Sequence, residues 1–289
     1  MTIRTRAELS LAGITAIWGC TFVVVKGALA DASPWPFLAV RFALAGLLLL
    51  AILGRGRVDR ETILPGCILG LLLFAGYSFQ TWGLVYTTPS KSAFLTGFSV
   101  ILVPLILRLS GVRMGFATLV GAALGLAGIY LLVAPSGMAA VNRGDLLTLA
   151  GALSFALHIV VVGHYIRRFS FLHLVPIQIL VVGLLSCVTL FLAPHQTLHF
   201  TARLCAAILV TAVLATGVAF SVQNWAQQYT PAAHTALIFA LEPVFAALSS
   251  WIVIGEHLGG KALAGAGSIL LGMVVSEIWG ARAPSPVEG

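Results

Sequence analysis

The stretch Ser78-Phe-Gln80-Thr-Trp82-Gly-Leu-Val-Tyr86-Thr87 returns 143 residues later as Ser221-Val-Gln223-Asn-Trp225-Ala-Gln-Gln-Tyr229-Thr230. The identities fall on Ser, Gln, Trp, Tyr and Thr, residue types that apolar composition alone does not put in register. The match runs on, with Lys91-Ser-Ala93 lying over His234-Thr-Ala236. With one residue inserted, Gly121 and Gly128 fall on Gly265 and Gly272. The first segments match at an offset of 138, Ala12-Gly13 on Ala150-Gly151 and Val23-Val24 on Val161-Val162. The chain therefore reads as a duplication, with copies at 1–140 and 141–281 and a short tail at 282–289.

Composition says what each copy is made of. Of 289 residues, 60% are hydrophobic and 9% charged, with mean hydropathy +1.05. A soluble domain carries roughly 25% charged residues, so an ordinary cytosolic enzyme, a nucleic-acid binder and a disordered chain are excluded. A membrane-spanning helix needs about 20 apolar residues. Apolar runs at 9–30, 34–53, 63–85, 91–108, 114–133, 145–165, 172–193, 203–229, 233–254 and 261–279 predict ten helices. The runs are too long, and alternate too little, for a closed barrel. Most breaks carry turn residues or charge, such as Asp31-Ala-Ser-Pro34, Gly54-Arg-Gly-Arg57, Pro135-Ser-Gly137, Pro194 and Gly259-Gly260. The expected fold class is all-α, a polytopic membrane protein of two five-helix repeats. An odd helix number makes the second copy enter the bilayer from the opposite side, which is an inverted repeat.

Charge placement sets the expected orientation. With the N-terminus inside, inner segments hold ten basic residues: Arg4, Arg6, Arg55, Arg57, Arg60, Arg108, Arg113, Arg167, Arg168 and Arg282. Outer segments hold four, Lys91, Arg143, Arg203 and Lys261. This predicts both termini in the cytoplasm. Arg113 and its repeat partner Glu256 differ in sign as their expected faces differ. The first apolar segment, from Leu9 to Val25, is longer than a leader's apolar region and recurs in the second copy, so it reads as a spanning helix. The four cysteines (Cys20, Cys67, Cys187, Cys205) lie in or beside apolar runs and are expected to be buried.

Further residues carry a family resemblance: Trp18-Gly19 before a stretch ending in Lys26, Arg41-Phe42 in helix 2, Glu242-Pro243-Val244 in helix 9, Gly255-Glu256, and Gly265, Gly267 and Gly272. Together they resemble the EamA-type ten-helix members of the drug/metabolite transporter superfamily. The first copy departs at Val112-Arg113, where many members have Gly-Glu. Within the superfamily the chain is most similar to YddG-type exporters of aromatic and other neutral amino acids. The resemblance implies alternating access through a cavity walled by helices 1, 3, 4, 6, 8 and 9, with 5 and 10 peripheral. It also implies a bacterial-type inner membrane.

Polar groups in hydrocarbon are costly and mark candidate sites. Glu242 is the carboxylate well inside an apolar run, where Pro243 leaves a carbonyl one turn back without its donor. It suits a substrate ammonium or a proton, or a bond across helices. Gln223, Asn224 and Gln227 on helix 8, and Tyr77, Gln80 and Thr81 on helix 3, suit a zwitterion or interhelical contact equally. Trp18, Phe22, Phe98, Phe155 and Phe239 could cage a substrate ring. His158 lies in mid-helix. Lys26 and Arg41, with Asp31 between them, either snorkel to the interface or form a charged cavity mouth. No motif indicates a catalytic residue, metal, cofactor or ATP. The expected partners are a small-molecule substrate and the lipid bilayer, with no nucleic acid, and the chain is expected to be a monomer. The same fold could export drugs or other metabolites. An intramembrane enzyme using His158 and Glu242 is the alternative of another class.

The orientation is directly testable. A fluorescent protein fused to the C-terminus should fluoresce in bacterial cells, and alkaline phosphatase fused there should be inactive; the reverse pattern refutes the assigned topology.

Overall fold

The computed structural model describes residues 1–53, 60–109, 111, 115–133, 141–193 and 195–280. Arg55, Arg57, Arg113, Arg282, the breaks at Gly54–Arg57, Pro135–Gly137 and Pro194, and the tail 282–289 lie outside the described residues. Within them run ten helices: α1 Ile3–Ala28, α2 Pro34–Leu53, α3 Arg60–Tyr86, α4 Pro89–Leu109, α5 Phe116–Val133, α6 Arg143–Tyr165, α7 Phe171–Leu192, α8 Ala202–Ala226, α9 Ala232–Ile254 and α10 Gly260–Gly280. Eight are long and apolar enough to cross a bilayer, while α5 and α10 contain shorter apolar stretches, Leu119–Leu132 and Gly260–Val275. The protein is an all-α polytopic membrane protein, as its composition requires.

Local chemistry starts and stops these helices. Thr2, Thr88, Ser170 and Thr201 each accept a backbone N–H at a helix start. Asn142 and Asp145 form a reciprocal capping box at α6. Gly255 ends α9 in the left-handed conformation, φ 66°, which costs an L-residue steric strain.

Packing reveals the symmetry. The helices α5 and α10 touch along glycines: a Cβ on Gly128 would sit 2.6 Å from the Gly265 carbonyl oxygen, and one on Gly272 would sit 2.5 Å from that of Gly121. The register 121 on 272 and 128 on 265 makes the pair antiparallel. It also relates the two contacts by exchange of the halves, since Gly121 matches Gly265 and Gly128 matches Gly272. The pair α2·α7 behaves alike, Gly46 against Leu180 and Gly183 against Ala43. The pairs α3·α6 and α1·α8 correspond, as do α4·α6 and α1·α9. A two-fold perpendicular to the helices, hence in the membrane plane, relates the halves. That is the inverted arrangement expected from the odd helix count.

Two matched polar pairs lie at opposite ends of the helix bundle. Lys91 Nζ lies 2.8 Å from Asp145 Oδ2, joining the starts of α4 and α6. Its counterpart is His234 Nε2, 3.2 Å from Glu8 Oε1, joining the starts of α9 and α1 on the N-terminal face. Of the two readings left open for Lys26 and Arg41, the charged cavity mouth with Asp31 does not form. Lys26 Nζ donates to the carbonyls of Leu84, Val85 and Thr87 at the end of α3, where a cation meets the helix dipole favourably. Asp31 pairs instead with Arg203 at 2.9 Å, a hydrogen bond that holds its carboxyl below the usual carboxylate range. The cysteines are also not buried as expected: Cys20 and Cys205 are exposed, Cys67 and Cys187 half-buried. They sit on outward surfaces that lipid can cover, so small apolar character does not require a protein core.

Because Gly128 has backbone against its missing side chain, Gly128→Val should lower stability by about 1–3 kcal/mol. Gly267→Ala, which meets nothing within 4 Å, should be neutral or slightly stabilising. Thermal unfolding of the two variants in detergent checks the contrast.

Candidate functional site

Helices in lipid keep their backbone bonds within the segment, so interruptions are informative. The helix α4 is broken at Phe98, between Pro89–Gly97 and Ser99–Leu109. The helix α9 is broken between Ala232–Phe239 and Glu242–Ile254. At the offset of 143, Phe98 matches Leu241, so the breaks occupy the same place in both halves. They also meet: a Cβ on Gly97 would lie 3.1 Å from Pro243 Cγ. Pro243 has no N–H to offer the Phe239 carbonyl. The backbone tightens around it, with Leu241 N bonding Ile238 O and Val244 N bonding Leu241 O.

A third irregularity lies in α8, where Val213–Val218 forms a π-turn, a feature frequent at functional sites. Side chains hold it. Thr216 Oγ1 donates to Thr211 O at 2.8 Å, and Trp18 Nε1 donates to Ala215 O at 2.8 Å. Arg41 Nε donates to Thr216 Oγ1 at 3.1 Å. No repeat counterpart accompanies this bulge, since α3 is continuous from Arg60 to Tyr86.

The turns in α4 and α9 adjoin one central cavity. It is lined by Trp18, Thr21, Phe22 and Val25 of α1, Arg41 of α2, and Leu73, Tyr77, Gln80, Thr81 and Leu84 of α3. The wall is completed by Thr96 and Ser99 of α4, Phe155, His158 and Ile159 of α6, Phe220 and Gln223 of α8, and Phe239 and Glu242 of α9. The lining helices are those expected, with α2 added through Arg41. Ten residues singled out from the sequence are therefore brought together: Trp18, Phe22, Tyr77, Gln80, Thr81, Phe155, His158, Gln223, Phe239 and Glu242.

Three others are placed elsewhere. Phe98 sits in the core between α4 and α5, against Gly125. Asn224 is fully buried, bonding Phe220 O at 2.9 Å and accepting from Gln178 at 3.3 Å. Gln227 donates to Ile159 O and accepts from Gln223, both at 3.1 Å. Helical spacing put these amides on one side of α8 but did not say which neighbour that side meets. Sequence reasoning missed Thr96 and Ser99. The signal available was small polar residues on both sides of Gly97-Phe98, over the matched Glu242-Pro243.

The rings form a continuous apolar wall. Trp18 packs against Phe220 and Phe239 with centroids 5.5 and 5.1 Å apart, and Tyr77 against Phe42 and Phe155 at 4.9 and 5.2 Å. His158 Nε2 is held by Gln178 Oε1 at 2.8 Å and stands edge-on to Phe220. Gln80 donates to Thr96 Oγ1 at 3.1 Å, tying α3 to the broken α4. Among the described residues, no three His, Cys, Asp or Glu side chains are grouped to hold a metal ion. The lining is mainly apolar with a few polar groups, the composition usual for small-molecule sites.

The profile of the EamA-like transporter family matches residues 5–134 and, a second time, 142–277. An uncharacterised transporter of Archaeoglobus fulgidus is 38% identical over 95% of this chain and 87% of its own length. The uncharacterised inner membrane transporter YedA of Escherichia coli is 33% identical over 51% of this chain and 50% of its own length. A solved crystal structure superposes with a TM-score of 0.73 at 20% identity, covering 97% of this chain and 100% of the other, and so shares the fold.

Thr216 is fully buried and serves both the π-turn and Arg41. Thr216→Val keeps the shape but leaves a buried charged donor short of an acceptor. It should cost about 1–3 kcal/mol of stability, measured by denaturation in detergent, whereas Thr211→Val removes a bond made only to its own helix and should cost less.

Proposed function

We propose that this chain, which belongs to the EamA-like transporter family, exports neutral amino acids with aromatic side chains by alternating access through the central cavity. The observation that carries this reading is a cavity between the two halves, walled by rings and a few polar groups, with tightened turns of α4 and α9 at matched positions beside it. Transporters of this plan place their substrate sites near the bilayer midplane between the two repeats. The rings of Trp18, Phe22, Phe155, Phe220 and Phe239 offer an apolar surface for an aromatic side chain, and Gln80, Thr81, Gln223 and Glu242 offer polar contacts.

Alternation follows from the symmetry. Because the halves are related by a two-fold in the membrane plane, a state open to one face has a counterpart open to the other, reached by exchanging the conformations of the halves. The pairs Lys91–Asp145 and His234–Glu8 occupy the matched places where α4 meets α6 and α9 meets α1. Each would part when its own face opens. The physiological direction is outward, from an inner membrane with both termini cytoplasmic, and the working unit is a monomer.

A second reading, export of hydrophobic cationic drugs, draws on the same rings together with the Glu242 carboxylate. Purified protein in liposomes separates the two. Uptake of labelled tryptophan and phenylalanine should exceed that of threonine, and a cationic dye should not compete. Glu242→Gln should reduce amino acid uptake by about ten-fold or more, as expected on losing a charge-assisted hydrogen bond. Dye transport without amino acid transport would sink the proposal in favour of the second reading. Accumulation driven by a proton gradient and abolished by Glu242→Gln would identify the coupling ion.

A further inference from the structure

We propose that Arg41 is the carboxylate-recognising residue of the cavity, and that Gln223 and Glu242 receive the ammonium group of the same molecule. The proposal rests on the cavity being the substrate site. It goes further by assigning each charged end of the substrate to named residues.

The first observation is a buried cation without a counter-ion. Arg41 is 3% exposed and lines the cavity. Around its guanidinium stand a hydroxyl and two rings: Thr216 Oγ1 accepts from Nε at 3.1 Å, and the Tyr77 and Phe42 rings lie 4.7 and 4.9 Å away. Among the described residues no carboxylate comes within 4.0 Å of it, although Arg4, Lys91 and Arg203 each have one. Removing a guanidinium from water is costly unless an anion compensates. This one also has more N–H donors than the Thr216 hydroxyl accepts, in the planar fork that suits a carboxylate.

The second observation is an acceptor with nothing to accept. Gln223 is 1% exposed, lines the cavity, and its Oε1 has no hydrogen-bond partner. Its orientation is dictated from outside the cavity. The Ile159 carbonyl can only accept, so Gln227 must present its NH2 there and its oxygen to Gln223. Gln223 must then donate to Gln227, which leaves Oε1 as the free atom. Glu242 lines the same cavity. One cavity thus holds an unmatched donor fork and an unmatched acceptor with a carboxylate, with the Tyr77 and Phe220 rings also on its wall. That set is complementary to a molecule bearing both a carboxylate and an ammonium group, and unsuited to one bearing either alone.

The test measures stabilisation against heating of the full chain in detergent by L-phenylalanine, L-phenylalanine methyl ester, phenethylamine and 3-phenylpropionate. Phenylalanine should bind tightest, with the ester and the amine weaker by on the order of a hundred-fold. In Arg41→Gln the preference for acid over ester should collapse, and in Arg41→Lys, which keeps the charge but not the fork, it should fall part of the way. In Gln223→Met the preference for phenylalanine over 3-phenylpropionate should fall while that for acid over ester persists. Equal affinity of wild type for acid and ester, an unchanged ratio in Arg41→Gln, or no binding of any probe overturns the proposal. The wild-type series decides even where a variant does not fold. Selective binding without vesicle transport overturns the transport reading alone, and transport of acid and ester at equal efficiency overturns this inference alone.

Discussion

Inside hydrocarbon no water is present to satisfy a backbone N–H or carbonyl, and the architecture follows from that constraint. It forces the chain into helices and confines irregular backbone to places where protein or a cavity can meet the freed groups. The three interruptions obey it. The breaks in α4 and α9 face one another through Gly97 and Pro243, and the π-turn in α8 gives its Ala215 carbonyl to the Trp18 indole. The turns in α4 and α9 adjoin the cavity, while the π-turn is tied to it through the Trp18 and Arg41 side chains that it bonds. The irregularity that would be costly toward lipid is used where the substrate is expected, and it brings Thr96, Ser99, Phe239 and Glu242 to the cavity wall.

The halves are held together by close backbone approach as well as by packed side chains. Lipid tails are as apolar as leucine, so burying Leu against Leu gains little within a bilayer, and tight backbone contact contributes more. Gly121, Gly128, Gly265 and Gly272 let α5 and α10 meet, and Gly83 with Gly144 does the same for α3 and α6. Exchange of the halves preserves these contacts but not their chemistry elsewhere. Lys91–Asp145 on one face corresponds to His234–Glu8 on the other, and among the described residues only α8 carries a π-turn. Duplication supplied the geometry, and each copy then diverged.

Helix positions were legible because each needs a long apolar run with Gly, Pro or charge at its ends, and the predicted and observed ends differ by a few residues, most at the start of α1. Polar residues in those runs were legible as candidates because hydrocarbon penalises them. Their division into cavity and contact was not legible. Gln223 and Gln227 are one turn apart on the same face of α8, yet one lines the cavity and the other bonds the α6 backbone. Phe98 and Phe239 both sit at a helix break, but Phe98 turns into the core beside Gly125. Arg41 shows the same limit. A position near a helix end suggested snorkelling, whereas the π-turn and Tyr77 draw its guanidinium into the cavity.

The sequence by itself determined that the chain lives in a membrane, that it has ten helices in two copies, and that the copies are inverted. Each of these follows from one-dimensional quantities: composition, the length of apolar runs, and an odd number of helices at a fixed offset. Only the tertiary structure decided which side chains share the cavity, that α2 contributes Arg41, and which polar atoms there remain unmatched. Those depend on the rotation and approach of neighbouring helices. Backbone contacts such as Gly128 on Gly265 and local departures such as the π-turn set both, and no spacing within a single helix encodes them.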